Sequence, residues 1–295
     1  VQKYKLYILL KGIIILIEYL WLNDKMKKQT TEKIKLWGIV QGVGFRPYVA
    51  RIAYDMGIKG RVRNIGGLVE ITVTDKKERI TEFLDVLKKE KPVPAEIVHI
   101  SRETLPLEFF GHFTIKQSDD GDKETAMIPA DLAVCPDCLR EMNDEDDPRR
   151  GHPFISCMVC GPRYTITDRF PYDRDNTSMV DFDMCRYCRE EYKDIRNRRY
   201  HAQTISCYDC GPQMEMYPED EENIQNDEDL TKRNRKILEY AASLLKKGKV
   251  IAFKSMGGYN LMADPKNQEA TSALREIKAR EEKPFAVLFR DEKQI

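Results

Sequence analysis

Eight cysteines stand where they can hold metal, and one arginine stands where it can hold an anion. Cys135 and Cys138 precede Cys157 and Cys160 in a C-x2-C-x18-C-x2-C unit, and Cys185, Cys188, Cys207 and Cys210 repeat that unit 50 residues on. The copies share Ile-Ser-Cys-x-x-Cys-Gly-Pro at 155–162 and 205–212, an internal duplication that uses every cysteine of the chain. A C-x2-C turn aims two thiolates at one ion, and a second turn about 15–20 residues later completes a tetrahedral four-sulfur site. The spacing therefore predicts two zinc ions, one per unit. Disulfides are the competing use of an even cysteine count, but they suit small secreted domains rather than a chain of 295 residues. Cysteines spaced for metal predict a reducing compartment, the cytoplasm.

The arginine closes the stretch Gly38-Ile-Val-Gln-Gly-Val-Gly-Phe-Arg46, a glycine-rich loop between a predicted strand and a predicted helix. Main-chain N–H groups in such a loop, aided by the helix dipole, form a cradle for phosphate. Gln41, Gly42, Val43, Gly44 and Phe45 are the expected cradle, and Arg46 can add a two-point charged clamp. A dinucleotide fingerprint is excluded, because Pro47 takes the place of its third glycine. No P-loop lysine is present either.

The elements that must position these residues follow from periodicity. Between residues 32 and 118 the pattern runs strand, helix, two strands, helix, two strands. EKIKLWGIV is rich in β-formers, RPYVARIAYDMG carries apolar residues at helical spacing, and KGRVRNIGGLVEITVTD reads as a hairpin turning at Gly66-Gly67. KERITEFLDVLKKEK places Ile80, Phe83, Leu84 and Leu87 on one helical face, and VHISRETL and HFTIKQS supply the last strands. This order predicts a ferredoxin-like α+β domain. Asp119–Thr125 reads as a polar linker, and residues 130–217 hold too few apolar side chains to fold without metal. Beyond an acidic linker, RKILEYAASLLKKGK predicts a helix, VIAFK a strand, Asn267–Arg280 a helix and FAVLF a further strand, an incomplete α/β domain.

Charge balances, with 49 Lys and Arg against 49 Asp and Glu, which argues against a chain bathed in polyanion. Locally it does not balance. Nine basic and two acidic residues lie between Met26 and Asn64, the region of the anion loop, whereas Pro218–Leu230 holds seven acids and no base. Leu6–Leu22 is apolar but interrupted by Lys11 and Glu18, and short of the roughly 20 residues of a membrane span. Residues 1–30 read as an extension with no part in the fold, Met26 being the expected start. A membrane anchor at residues 6–22 is the alternative.

GIVQGVGFRPYV, with Asn64 in GRVRN 18 residues after Arg46, resembles the active-site loop of the acylphosphatases. That resemblance implies that Arg46 clamps the phosphate of an acyl phosphate and that Asn64 orients the attacking water. Leu68 departs from it, standing where that family has glycine. The succession of an acylphosphatase-like domain at 31–120, a double four-cysteine finger at 130–217 and AFKSMGGYNLMAD and KAREEKPFAVL within 231–295 resembles the HypF family of hydrogenase-maturation carbamoyltransferases. The last segment corresponds to the opening of a YrdC-like domain, in which Lys254, Lys278, Arg280 and Lys283 match a nucleotide site. Ser255 and Asn260 depart from that family's Gly and His. The resemblance implies carbamoyl phosphate as substrate, ATP as co-substrate and transfer of the carbamoyl group to a HypE-type maturation protein, with the present chain an N-terminal portion.

The competing reading is a zinc-dependent binder of double-stranded RNA with a vestigial acylphosphatase domain. It draws on Arg149-Arg150 and on Arg196–Arg199 beside Tyr200, set against the acidic Asp144–Asp147. His152 and His201 break the repeat's register and are expected to be surface residues or neighbours of the thiolates, not ligands. His99 and His112 fall in strand patterns. Four thiolates leave no open position on a metal, so the zinc ions are expected to be structural.

Overall fold

β-branched and aliphatic residues alternate with polar ones through β1 (Gln29–Ile39), so one edge of the strand turns inward and seeks cover. In the computed structural model, which describes residues 29–121, 126–127, 129–217, 229–255 and 257–294, that cover is a five-stranded sheet with two helices. The sheet runs β4-β1-β3-β2-β5, from β2 (Lys59–Ile65), β3 (Leu68–Lys76), β4 (Glu96–Leu105) and β5 (Phe113–Ile115). All neighbours are antiparallel except β2 and β5. With α1 (Phe45–Met56) after β1 and α2 (Lys77–Lys89) after β3, this is the expected ferredoxin-like α+β order with one strand added.

The core lies between the sheet and these helices. Ile71 of central β3 pairs with Ile34 on one side and Val62 on the other, and all three are fully buried. Val49 and Ala53 of α1, and Ile80, Phe83 and Leu87 of α2, close over them. The opposite face of β3 is polar but equally hidden. Glu70 is held by Arg63 at 2.9 Å, and the Thr31 and Thr74 hydroxyls meet at 2.7 Å. Past β5 the chain keeps to the side of β2, with Lys116 N–H on the Val62 carbonyl and Asp119 N–H on that of Asn64.

The chain divides into two compact units. The chain up to Cys135 forms one together with Ser156–Ile205, and Pro136–Ile155 forms the other with Ser206–Ile295. In the first, residues 156–205 belong with the sheet, and α4 (Arg186–Lys193) lies within them. The second contains α3 (Pro136–Asn143), α5 (Leu230–Lys246), the hairpin of β6 (Ile251–Ser255) and β7 (Gly258–Met262), and α6 (Gln268–Lys278). α3 and α4 each start one residue after the first cysteine of a unit, so the duplication extends to local structure.

Three expectations need correction. FAVLF, residues 285–289, forms no strand; among the described residues β6 and β7 pair with each other and take up no third strand. Residues 29–30, assigned to the extension, open β1, where Gln29 and Thr30 pair with Lys76 and Asp75. His112 lies in a bend ahead of β5, while His99 stacks on Trp37 at 5.1 Å. The apolar run at 6–22 and most of the acidic linker lie outside the described residues, among which no helix is long and apolar enough to cross a membrane. Truncating the central Ile71 to Ala leaves a void that both neighbours already line. Urea denaturation should show a loss of about 2–5 kcal/mol of stability.

Candidate active site and metal centres

Between β1 and α1 the chain turns twice through left-handed backbone, at Gly42 (φ 71°) and Gly44 (φ 74°). A Cβ at Gly42 would stand 2.8 Å from the Pro129 ring, and one at Gly44 would strike the Met158 side chain. Only glycine fits both the torsion and the space. Among the described residues, no acceptor meets the main-chain N–H groups of Gly42, Val43, Gly44, Phe45 or Arg46. Unpaired N–H groups at the start of a helix make an anion cradle. The expected cradle residues are thus brought together, with one difference. The Gln41 side chain is fully committed, donating to the Gly66 and Leu68 carbonyls at 2.9 and 3.0 Å and accepting the Tyr172 N–H at 2.9 Å. It therefore clamps the β2–β3 hairpin, and only its main chain remains for an anion. Leu68 closes a two-residue turn across from Ile65 and is accommodated by that clamp through its carbonyl.

Arg46 and Asn64 meet at a single atom. The Tyr172 carbonyl oxygen accepts from Arg46 Nη2 at 3.0 Å and from Asn64 Nδ2 at 3.3 Å. Arg46 also donates to the Ser118 hydroxyl at 3.0 Å and pairs with the Asp173 carboxylate at 2.5 Å. Asn64 is buried, and its Oδ1 finds no donor among the described residues. An unsatisfied buried acceptor beside a charged donor is a place where a water or ligand belongs.

Tyr172 and Asp173 come from the finger region and were not singled out in the sequence. Neither has the spacing of a ligand or a known loop, and only folding carries them across more than 100 residues to the anion loop. The loop at 171–174 is held by its neighbours. Arg163 donates to the Gly42 carbonyl and to that of Met158, and buried Arg174 reaches the carbonyls of Gln203 and Ile205 at 2.7 and 3.0 Å. From α1, Arg51 donates to the carbonyls of Ile195 and Asn197 at 2.9 and 2.7 Å. A small cavity of about 30 Å³ lies over the glycine loop, and a wide cleft of about 760 Å³ opens beyond it. Arg46, His201 and Gln203 line both.

His201 corrects the expectation of a surface group. It adopts φ 53° and packs against Tyr192 and Tyr200 at 4.7 and 4.6 Å. Burial, and then the Arg46 charge, hold its imidazole down at about pKa 4, so it is neutral at physiological pH. His152 is buried as well, its Nε2 lying 3.3 Å from the Ser206 hydroxyl.

The cysteines form two groups, Cys135, Cys138, Cys157 and Cys160, and Cys185, Cys188, Cys207 and Cys210. Within each, the sulfurs all lie within 4.8 Å of one another. Tetrahedral zinc with Zn–S of about 2.3 Å requires sulfurs about 3.8 Å apart, whereas a disulfide needs about 2.0 Å. Cys135 and Cys157 are 3.7 Å apart, Cys157 and Cys160 3.6 Å, and Cys207 and Cys210 3.8 Å. The donor set and spacing fit a structural four-thiolate metal site and exclude disulfides between these pairs. The fingers also interlock through buried arginines. Arg149 donates to the Ser206 carbonyl at 2.8 Å and Arg199 to that of Ser156 at 3.1 Å, each arginine serving the cysteine knuckle of the other repeat. Both guanidiniums are therefore spent internally and drop out of the basic group expected for RNA binding, while Arg150 and Arg196 stay exposed.

In the second unit Lys254 lies over the Tyr259 ring at 5.8 Å, and Arg280 over that of Phe285 at 5.6 Å. Lys278 ends α6. Among the described residues no hydrogen bond, ion pair or ring contact joins Lys254 to Lys278, Arg280 or Lys283. Arg275, not singled out in the sequence, gathers the loop instead, donating to the carbonyls of Arg280, Glu281 and Lys283.

An acylphosphatase family profile matches residues 32–115, a HypF-finger profile 134–167 and 184–217, and a profile described as telomere recombination 243–295. Carbamoyltransferase HypF of Synechocystis sp. is 44% identical over 265 residues, which are 90% of this chain and 34% of that protein. The probable carbamoyltransferase HypF of Methanocaldococcus jannaschii is 43% identical over 278 residues, 94% of this chain and 35% of the relative. The chain thus spans about a third of the length of these relatives. The acylphosphatase of Thermotoga maritima is 39% identical over 85 residues, 28% of this chain and 93% of the enzyme. A full-length HypF crystal structure in a phosphate- and nucleotide-bound form superposes with a TM-score of 0.78 at 36% identity, covering 90% of this chain and 34% of that one.

Two outcomes follow from this geometry. Cys160→Ser should halve the metal bound per chain, as measured by atomic emission, because it breaks one four-thiolate set and leaves the other. The unfolded chain protonates a histidine near pH 6.5, whereas folded His201 stays neutral until about 4. Its contribution to stability is therefore present above 6.5 and lost as pH falls through that window. Urea titrations across that window should show a shallower acid slope for His201→Gln than for the parent.

Proposed function

Because the chain belongs to the HypF family of carbamoyltransferases, we propose that its acylphosphatase domain hydrolyses carbamoyl phosphate and passes on the carbamate. The observation that carries this reading is the convergence of Arg46 and Asn64 on one oxygen, beside a run of unpaired N–H groups from Gly42 to Arg46. In the reaction, the phosphate sits on those N–H groups and on Arg46. Asn64 Oδ1 accepts a hydrogen bond from water and aims its oxygen at the acyl carbon. As the bond to phosphate breaks, the negative charge that collects on the leaving group is met by fixed donors that need no reorganisation. Water supplies one oxygen of the carbamate, and of its two protons one leaves on the departing inorganic phosphate and the other passes to solvent.

Zinc at the two four-cysteine sets holds the fingers folded and offers no coordination position to a substrate. The YrdC-like segment, through Lys254, Lys278, Arg280 and Lys283, contributes to a site where carbamate and ATP form a carbamoyl adenylate and pyrophosphate. The carbamoyl group then goes to the C-terminal cysteine of a HypE-type maturation protein, a step that belongs to the whole enzyme, in the cytoplasm.

Phosphate release from carbamoyl phosphate by the chain, beside Arg46→Ala and Asn64→Ala, tests the hydrolytic step. Each substitution should lower kcat/KM by about a hundredfold or more. Equal release by all three folded proteins would remove these residues from catalysis.

A further inference from the structure

The Tyr172-Asp173 dipeptide occupies the donors that an acyl phosphate needs. A guanidinium offers two-point recognition along two edges, one formed by Nε and Nη2 and the other by Nη1 and Nη2. Both edges contain Nη2. In this chain Nη2 of Arg46 is engaged twice, by the Tyr172 carbonyl at 3.0 Å and by the Asp173 carboxylate at 2.5 Å. Neither edge is available to phosphate while both contacts persist. The same carbonyl also takes the Nδ2 donor of Asn64. Over the glycine loop the cavity holds only about 30 Å³, room for about two waters.

We propose that Asp173 is an internal competitor for the phosphate clamp, so that substrate binds only by displacing its carboxylate from Arg46. The inference rests on the reading of Arg46 as that clamp. Of the two contacts on Nη2, the carboxylate is the one that can leave. Tyr172 is fixed through its N–H on Gln41, and the next residue, Arg174, is anchored on the carbonyls of Gln203 and Ile205. The Asp173 main chain is held as well, its carbonyl accepting the Asn176 N–H at 2.9 Å, but its side chain is about a quarter exposed, more than twice as much as that of Arg46. It borders the wide cleft, whose wall also carries Lys116 and Arg169. A side-chain rotation toward these cations frees one of the two Nη2 donors, and with it one edge of the guanidinium, without moving the backbone. An acyl phosphate arriving from the cleft thus exchanges one anion for another on Arg46, and the arginine never stands unpaired in its buried seat.

The test is calorimetric titration of inorganic phosphate into the intact 295-residue chain and its Asp173→Asn, Asp173→Ser and Arg46→Ala variants, with folding followed by circular dichroism. Removing the competing charge should tighten phosphate binding about tenfold in both Asp173 variants, and Arg46→Ala should abolish it. KM for carbamoyl phosphate should fall in parallel. Asp173→Glu, which keeps the carboxylate, should not tighten binding. Unchanged or weaker phosphate binding in either folded Asp173 variant would overturn the proposal and make Asp173 a positioning partner of Arg46. Phosphate binding is read without turnover. Arg46-dependent binding that tightens in Asp173→Asn, with no hydrolysis in any protein, would uphold the competitor and remove the hydrolytic reading instead.

Discussion

A full positive charge sits on Arg46 with only a tenth of its side chain in contact with solvent, and the surrounding structure is organised by the need to satisfy it. A buried guanidinium must be met by acceptors at each donor it presents. The Ser118 hydroxyl, the Tyr172 carbonyl and the Asp173 carboxylate meet it from two distant stretches of chain. The continuation of β5 therefore has to run beside β2, where it brings Ser118 into place. The finger loop has to lie over the glycine turn, where Gln41 and Arg163 fasten it. One charge thus ties the edge of the sheet, the anion loop and the finger into one compact unit.

The fingers meet their own constraint by a different route. Their segments carry short helices and few apolar residues, so thiolate clusters and buried arginines do the work that a hydrophobic core does in the sheet domain. Arg149 and Arg199 stand at matching places in the duplicated sequence, and each reaches the serine carbonyl beside a cysteine of the other copy. Duplication thereby becomes reciprocity. Each guanidinium satisfies main-chain oxygens that would otherwise be buried without donors. The cost is that neither arginine remains at the surface to meet a polyanion.

Much of this was legible in the residues. The glycine loop, Arg46 and Asn64 were recognisable because left-handed turns demand glycine at fixed places, and a short anion loop is local in sequence. The cysteine sets were legible for the same reason, since a C-x2-C turn is a local geometry. The helix faces of α1 and α2 followed from periodicity alone. What escaped was long-range. Asp173 and Tyr172 are ordinary loop residues until the finger folds back on the sheet, and Gln41 reads as a phosphate neighbour until its amide is found gripping a hairpin. FAVLF has the composition of a strand, but a strand forms only where the chain is laid alongside a partner, which composition does not report.

Sequence by itself determined most of the elements, the two cysteine sets and the glycine turns of the anion loop, because periodicity, C-x2-C knuckles and left-handed turns are each local. Tertiary structure alone decided what faces that loop. Whether Arg46 presents an open clamp or one already holding a carboxylate depends on residues 72 to 127 positions away, and only packing and the satisfaction of a buried charge bring them there.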